Sequence, residues 1–239
     1  MHSDETRDPI VTAEAPAGIS PDSGYAPETW AFDDEVTRVF DDMLQRSIPQ
    51  YDVMRETVFR LGDRFVAAGS NGDCIMDLGA SRGEAIAPFV KRYGAIRLHT
   101  AIEVSPPMLK VLRERFAGMM SAGVVEVLEL DLRGGVPHRR CSLILAVLAL
   151  QFIPIEYRQR IVRSAYKALK PGGAMIIVEK VLGDSAELDE ILVDEYQAMK
   201  RRAGYTQEEI DRKALSLEGV LVPVTAKWNE ELLRRAGFD

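Results

Sequence analysis

The chain has 239 residues, 46% of them hydrophobic and 28% charged, enough for one α/β domain with a sizeable core. Its net charge of −7 and pI near 5.2 argue against broad, nonspecific binding to nucleic acid or to an anionic membrane. Two cysteines, Cys74 and Cys141, each at the start of an apolar run, give neither a disulfide framework nor metal-ligand spacing.

Residues 1–30 are rich in Pro, Ala, Ser, Asp and Glu and lack periodicity, which predicts a disordered tail. No apolar core of a secretory signal follows "MHSDETRDP", and no run approaches the roughly 20 apolar residues that span a bilayer, so a cytoplasmic location is expected. From "FDDEVTRVFDDMLQRSIPQYDVM" the pattern turns helical, with Val36, Val39, Phe40, Met43 and Leu44 at three- and four-residue spacing. Pro49 breaks that helix, and a second is predicted over Val53 to Ala67. These cap a core that begins near residue 71.

Strand candidates then alternate with helices. "CIMDLGA" (74–80), "LHTAIEV" (98–104), "VVEVLELDL" (124–132), "CSLILAVLAL" (141–150) and "GAMIIVEKVL" (173–182) are the strands, and 83–93, 106–117 and 156–170 the helices. Such alternation predicts an α/β fold with a doubly wound, mostly parallel sheet. Several strands are apolar on both faces, as a sheet covered by helices on each side requires. A helical lid, 183–239, follows, interrupted near "AGYT" and ending in "WNEELLRRAG". Residues 31–239 therefore form one domain.

In "DLGASRGEA", Asp77 closes a strand, Gly79 allows a tight turn close to a ligand, and Gly83 is expected to open a helix whose free N–H groups face an anion. Read alone, the glycine pair also suits a plain strand-to-helix turn. Glu103 ends the next strand, where a carboxylate can accept from two ribose hydroxyls. Asp131 ends the third and can accept from an adenine amine. The spacing departs from the G-x-G-x-x-G of a dinucleotide site. Together these residues resemble a class I S-adenosylmethionine-dependent methyltransferase over roughly 32–239. That resemblance implies a Rossmann-like sheet, S-adenosyl-L-methionine as cofactor and S-adenosyl-L-homocysteine as product. It also places Asp77 near the methionine amine, Gly79 and Gly83 under the nucleoside, Glu103 on the ribose, and Met108 of the "SPPM" turn on the adenine. A plain core role for Met108 stays open.

Four stretches, "FDDEVTRVFDDMLQRSIPQY", "LQFIP", "YKALKPGGAMIIVEKV" and "GYTQEEIDRKALSLEGV", are similar to carboxy-S-adenosyl-L-methionine synthases. These make a carboxylated cofactor from S-adenosylmethionine and prephenate for wobble-uridine modification in tRNA. The resemblance adds Tyr51, Ala80, Ser81, Val104, Leu132, Val147 and Gln151 to the cofactor residues, and implies a homodimer. Two family positions differ. Val147 stands where the family has Asn, and Ala214 where it has the arginine that grips the extra carboxylate; neighbouring Arg212 or Lys213 could substitute, although one residue along a helix turns the side chain by about 100°. The expectation is therefore an ordinary methyltransferase acting on a small-molecule acceptor by in-line transfer, with the synthase reaction and a noncatalytic cofactor-binding subunit as rivals. No general base stands out: His2, His99 and His138 lie in the tail or before strands. Gln151, Glu179 and Lys180 are candidates at the productive sheet edge, and Tyr196, Arg201 and Tyr205 in the lid, where Arg201 suits an acidic substrate. This superfamily's sheet normally continues past an "AGF" like Ala236–Phe238, so further strands beyond Asp239 are expected.

Overall fold

The computed structural model describes residues 31–239, so the predicted tail at 1–30 lies outside the described residues. Helix α1 (Asp34–Ser47) starts at Asp33, whose side chain accepts the Val36 N–H at 2.8 Å, and α2 (Tyr51–Ala67) follows the Pro49 break. The core runs β1 (Cys74–Leu78), α3 (Ala87–Tyr93), β2 (Leu98–Glu103), α4 (Pro106–Ser121), β3 (Val125–Glu129), β4 (Cys141–Val147), α5 (Ile155–Ala168) and β5 (Leu169–Val178). Short β6 (Val181–Leu182) pairs with β7 (Val224–Thr225), bracketing α6 (Ala186–Arg202) and α7 (Gln207–Leu217), and α8 (Ala226–Ala236) ends the chain.

The five core strands form one parallel sheet in the order β3-β2-β1-β4-β5. Alternate residues feed opposite faces, the two-residue period of a strand. Ile75, Leu143 and Leu145 pack under α2, α3 and α4, whereas Met76, Ile144 and Ala146 pack under α5 and α8. Both faces are covered at β1, β2 and β4, which is why these strands read as nearly continuous apolar runs, whereas the edge strands β3 and β5 are half-buried. Gly62 lets α2 approach: a Cβ there would lie 2.7 Å from both Leu143 and Phe89.

Three local expectations change. Residues 81–86 form turns, and regular helix begins at Ala87 rather than near Gly83. Gly83 has φ +84° and donates its N–H to the Ala80 carbonyl, which stops a helix from starting there. Strand β3 ends at Glu129, so Asp131 caps a single 3-10 turn instead of closing the strand. "LKPGG" falls inside β5, across a register shift against β4.

Chain order reverses between β1 and β4, whose outer neighbours lie on opposite sides. A crevice opens beyond the carboxyl ends of strands at such a switch point. Helices α1, α6 and α7 cover it.

Candidate active site

A cavity of about 940 Å³ fills that crevice. Asp77, near the end of β1, is 1% exposed, and its Oδ2 has no hydrogen-bond partner among the described residues. Burial pushes its pKa up to about 7; the Arg55 guanidinium pulls it back, and Glu84 and Glu103 raise it further. A buried, orphaned carboxylate oxygen on a cavity wall is the complement of an ammonium group. Gly79 follows with φ +70°, and a Cβ there would sit 2.8 Å from the Ala149 side chain, so this turn accepts glycine alone without movement.

Glu103 ends β2 and curls over the same turn. Its Oε2 accepts from Ser81 N at 2.7 Å, and its Oε1 accepts from Val104 N and Ser105 N at 2.7 and 2.8 Å. A carboxylate has about four acceptor sites, so one remains for a ligand hydroxyl while the backbone holds the group in place. Ser81 and Leu148 both line the cavity with positive φ, 52° and 57°, conformations that non-glycine residues adopt rarely and mostly where function demands them.

Of the residues singled out in the sequence, Tyr51, Asp77, Gly79, Ala80, Ser81, Glu103, Val104, Asp131, Leu132, Val147, Gln151 and Tyr196 all line this one cavity. Asp131 is drawn to Arg133, which donates Nε and its backbone N–H to it and holds its pKa below the usual value. Four others are not brought to the wall. Met108 is fully buried beside Val36 and Phe40, taking hydrogen bonds on its sulfur from Thr37 and Ser81; the core role is the one it has. Gly83 is absent from the lining and admits the side chains of Leu112 and Phe116, which a Cβ would meet at 2.8 and 2.5 Å, so its lack of a side chain serves packing against α4. Arg201 bonds to Gln207 on the exposed side of the lid. Tyr205 is covered by Arg46, 4.2 Å above its ring, and its hydroxyl meets Ser47.

The lid wall carries lysines. Lys180, after β5, and Lys200, on α6, flank the ring of Tyr196, their Nζ atoms 5.2 and 4.6 Å from its centroid. Lys213 of α7 faces the same space beside Leu217, its Nζ 3.2 Å from Met43 Sδ. Burial, helped by Lys200, lowers its pKa to about 7. Ala214, the position of the missing arginine, is exposed and off the wall. Sequence reading passed over Arg55 and Lys200 as site residues. The available signal was spacing: Tyr196 and Lys200 are four apart on α6.

Beneath the site, Glu179 accepts the N–H groups of Leu150 and Gln151 at 2.9 Å, and burial raises its pKa to about 7. The Gln151 side chain accepts from Lys180 N at 2.9 Å. Arg158, 2% exposed, donates to the carbonyls of Ile153, Gln151 and Val222, tying the β4 end to the lid. His99 is buried in the sheet with Nδ1 3.2 Å from the Val124 carbonyl, away from the cavity. Among the described residues no group of three or more His, Cys, Asp or Glu is placed to hold a metal, and no helix is long and apolar enough to cross a membrane.

A family model described as a methyltransferase domain matches residues 75–173. Phosphoethanolamine N-methyltransferase 2 of Haemonchus contortus, solved with S-adenosyl-L-methionine, superposes with a TM-score of 0.60 at 15% identity, over 86% of this chain and 42% of that one. An O-methyltransferase family protein of Burkholderia thailandensis also gives 0.60, at 18% identity, over 86% of this chain and 55% of that one. In both cases the chain spans about half of the solved protein, and the likeness is one of fold. The protein is thus an S-adenosylmethionine-dependent enzyme of the class I methyltransferase fold, with S-adenosyl-L-methionine as its cofactor.

Curated relatives narrow this. The carboxy-S-adenosyl-L-methionine synthase of Methylococcus capsulatus is 36% identical over 212 residues, 88% of this chain and 86% of that protein. The synthase of Wolinella succinogenes is 37% identical over 210 residues, 87% and 85% of the two chains. The chain belongs to the carboxy-S-adenosyl-L-methionine synthase family.

Proposed function

We propose that the enzyme catalyses the reaction its relatives are named for, forming a carboxylated cofactor from S-adenosyl-L-methionine and prephenate. The carboxyl carbon released as the prephenate ring aromatises bonds to the sulfonium methyl carbon, the proton lost from that methyl leaves with the expelled hydroxide as water, and phenylpyruvate is the second product. The observation that carries this is that one cavity of about 940 Å³ is lined both by Asp77 and Glu103 and by three lysines, Lys180, Lys200 and Lys213. Two small molecules fit side by side, and the second is acidic by complementarity to that wall. Preference for ordinary methyl transfer rested on Ala214, and in this chain Ala214 is not a wall residue.

The bound cofactor supplies a carbon already activated by its sulfonium. Asp77 would accept from its ammonium, the free acceptor site of Glu103 would take a ribose hydroxyl, and Gly79 would let the main chain approach it closely. Tyr51, Val104 and Leu132 close the apolar sides. What remains for the protein is orientation and exclusion of water, which can be worth about 7–11 kcal/mol. Tyr196 and the lysines orient the second molecule.

A second reading, in-line methyl transfer to an acidic acceptor, is favoured by Val147 at the family's Asn position. Incubation with S-adenosyl-L-methionine, with and without prephenate, followed by mass spectrometry of the nucleosides separates the two. Prephenate-dependent carboxylated cofactor is the expected product. S-adenosyl-L-homocysteine together with a methylated acid would replace the first reading by the second. Cofactor binding without turnover on either would indicate a noncatalytic subunit.

A further inference from the structure

Two opposite charges line the cofactor end of the cavity without meeting. Asp77 leaves its buried Oδ2 without a hydrogen-bond partner among the described residues. Arg55, half-buried on α2, lines the same cavity. Its guanidinium makes no hydrogen bond and no ion pair with any described residue; it lies over the ring of Tyr51, one turn earlier, 5.9 Å from the centroid. Yet among the charges acting on the Asp77 carboxyl, that of Arg55 is the strongest. The other charged groups at this end are already matched. Glu84 pairs with Arg115 at 3.0 Å and lies 3.8 Å from Arg82. Glu103 holds three backbone N–H groups. Arg133, the other arginine of the lining, is held by Asp131. A charge that loses water without a partner costs free energy, so opposite charges in a partly apolar wall ordinarily close on each other. Asp77 and Arg55 stand apart across one space, which suits a group that carries both signs. An α-amino acid head is such a group, with its ammonium toward Asp77 and its carboxylate toward Arg55. S-adenosyl-L-methionine ends in one.

We propose that Arg55 holds the α-carboxylate of the cofactor's methionyl end, so that α2 and β1 together read that end as a zwitterion. The proposal concerns the cofactor alone and stands whichever second substrate the enzyme uses. A guanidinium presents parallel N–H donors that match a carboxylate, which a lysine amine does not. Tyr51 and Arg55 are four apart on α2 and share one face, so the helix that supplies the tyrosine to the cavity also supplies the arginine. A ligand without the carboxylate would leave Arg55 unmatched, and the site therefore discriminates against decarboxylated forms of the cofactor.

The test is calorimetric titration of the full chain with S-adenosyl-L-homocysteine and with decarboxylated S-adenosyl-L-homocysteine, the same thioether with hydrogen in place of the carboxylate. Wild type is expected to bind the decarboxylated ligand about ten- to hundredfold more weakly, the range of one charge-assisted hydrogen bond. Arg55→Met should lose about that factor for S-adenosyl-L-homocysteine but less than about threefold for the decarboxylated ligand, so that it no longer distinguishes the two. Arg55→Lys should keep part of the preference by retaining the charge. Arg64→Met, exposed on the same helix and absent from the cavity wall, removes an equal charge and should preserve the preference in full. The proposal is overturned if wild type binds both ligands alike, or if Arg55→Met keeps the wild-type preference. It is also overturned if Arg55→Met weakens both ligands equally, which marks a structural role, or if Arg64→Met loses the preference to the same extent. Where circular dichroism shows Arg55→Met misfolded, Arg55→Gln replaces it under the same criteria, and the comparison of the two ligands on wild type stands without either variant.

Discussion

At Asp77 burial decides chemistry. Its pKa, raised from 3.8 to about 7, makes the carboxyl neutral in acid and charged only above neutrality. Cofactor affinity is therefore expected to fall as pH drops through about 7. Asp77→Asn should bind about ten- to hundredfold more weakly at pH 8 and show no such dependence, by calorimetry. The stability sign follows from the same raised pKa: the carboxyl's contribution is intact below 3.8 and lost as pH rises through about 7. Without ligand, Asp77→Asn should then melt above wild type at pH 8, the gap closing toward pH 4. Lys213 acts in the opposite sense, its folded pKa being lowered to about 7. Lys200, its nearest like charge, and Tyr196 on α6, with Lys180 and Glu179 after β5, line the same cavity. As pH climbs through about 7 it loses its charge, so prephenate affinity should fall; Lys213→Arg should flatten that profile.

At the scale of elements, the lid shows where sequence reading stops. Asp77, Gly79 and Glu103 were legible because strand ends and their turns are set by local chain geometry. Tyr196 and Arg201 were expected lid positions, with Arg212 or Lys213 as stand-ins for the arginine missing at Ala214; the cavity takes Tyr196, Lys200 and Lys213. Lys200 stands one residue from Arg201 and Lys213 one from Ala214, and one residue turns a helical side chain by about 100°. On α7 the inward line is Ile210, Lys213 and Leu217, where 210, 214 and 217 fit the apolar pattern equally well. Packing of α7 against α1 and α6 turns the lysine inward and leaves Ala214 exposed. Arg158 is a second case, a buried cation whose three carbonyl partners come from chain segments up to 64 residues away. Arg158→Met is expected to cost about 3–5 kcal/mol by leaving those acceptors and the nearby Glu179 uncompensated. Urea unfolding should show this as a lower midpoint, with an unchanged slope if the denatured state is unaffected.

For the whole molecule, the cofactor site is lined jointly by α1 and α2, the ends of β1 and β2, and the α6–α7 lid. A ligand contacting all of them stabilises the domain as a unit. At a concentration one hundred times Kd, it should add about 2.7 kcal/mol. For a chain of this length each kcal/mol raises Tm by about 2–4 °C, so scanning calorimetry should show a rise of roughly 5–11 °C. A single two-state transition in both states is the expected form; separate melting of the lid would show that the cavity does not couple it to the sheet.

By itself the sequence determined the parallel sheet, its switch point and the acidic residues at its productive edge. Two-residue alternation, glycine turns and strand-end carboxylates are local features that survive whatever packs around them. Only the tertiary structure decided that Met108 is core, that Gly83 serves helix packing, that Arg158 braces the site, and that Lys200 and Lys213 face the cavity. Those outcomes depend on helices distant in sequence meeting over one crevice, where a rotation of one residue exchanges a buried ammonium for a solvent-exposed methyl group.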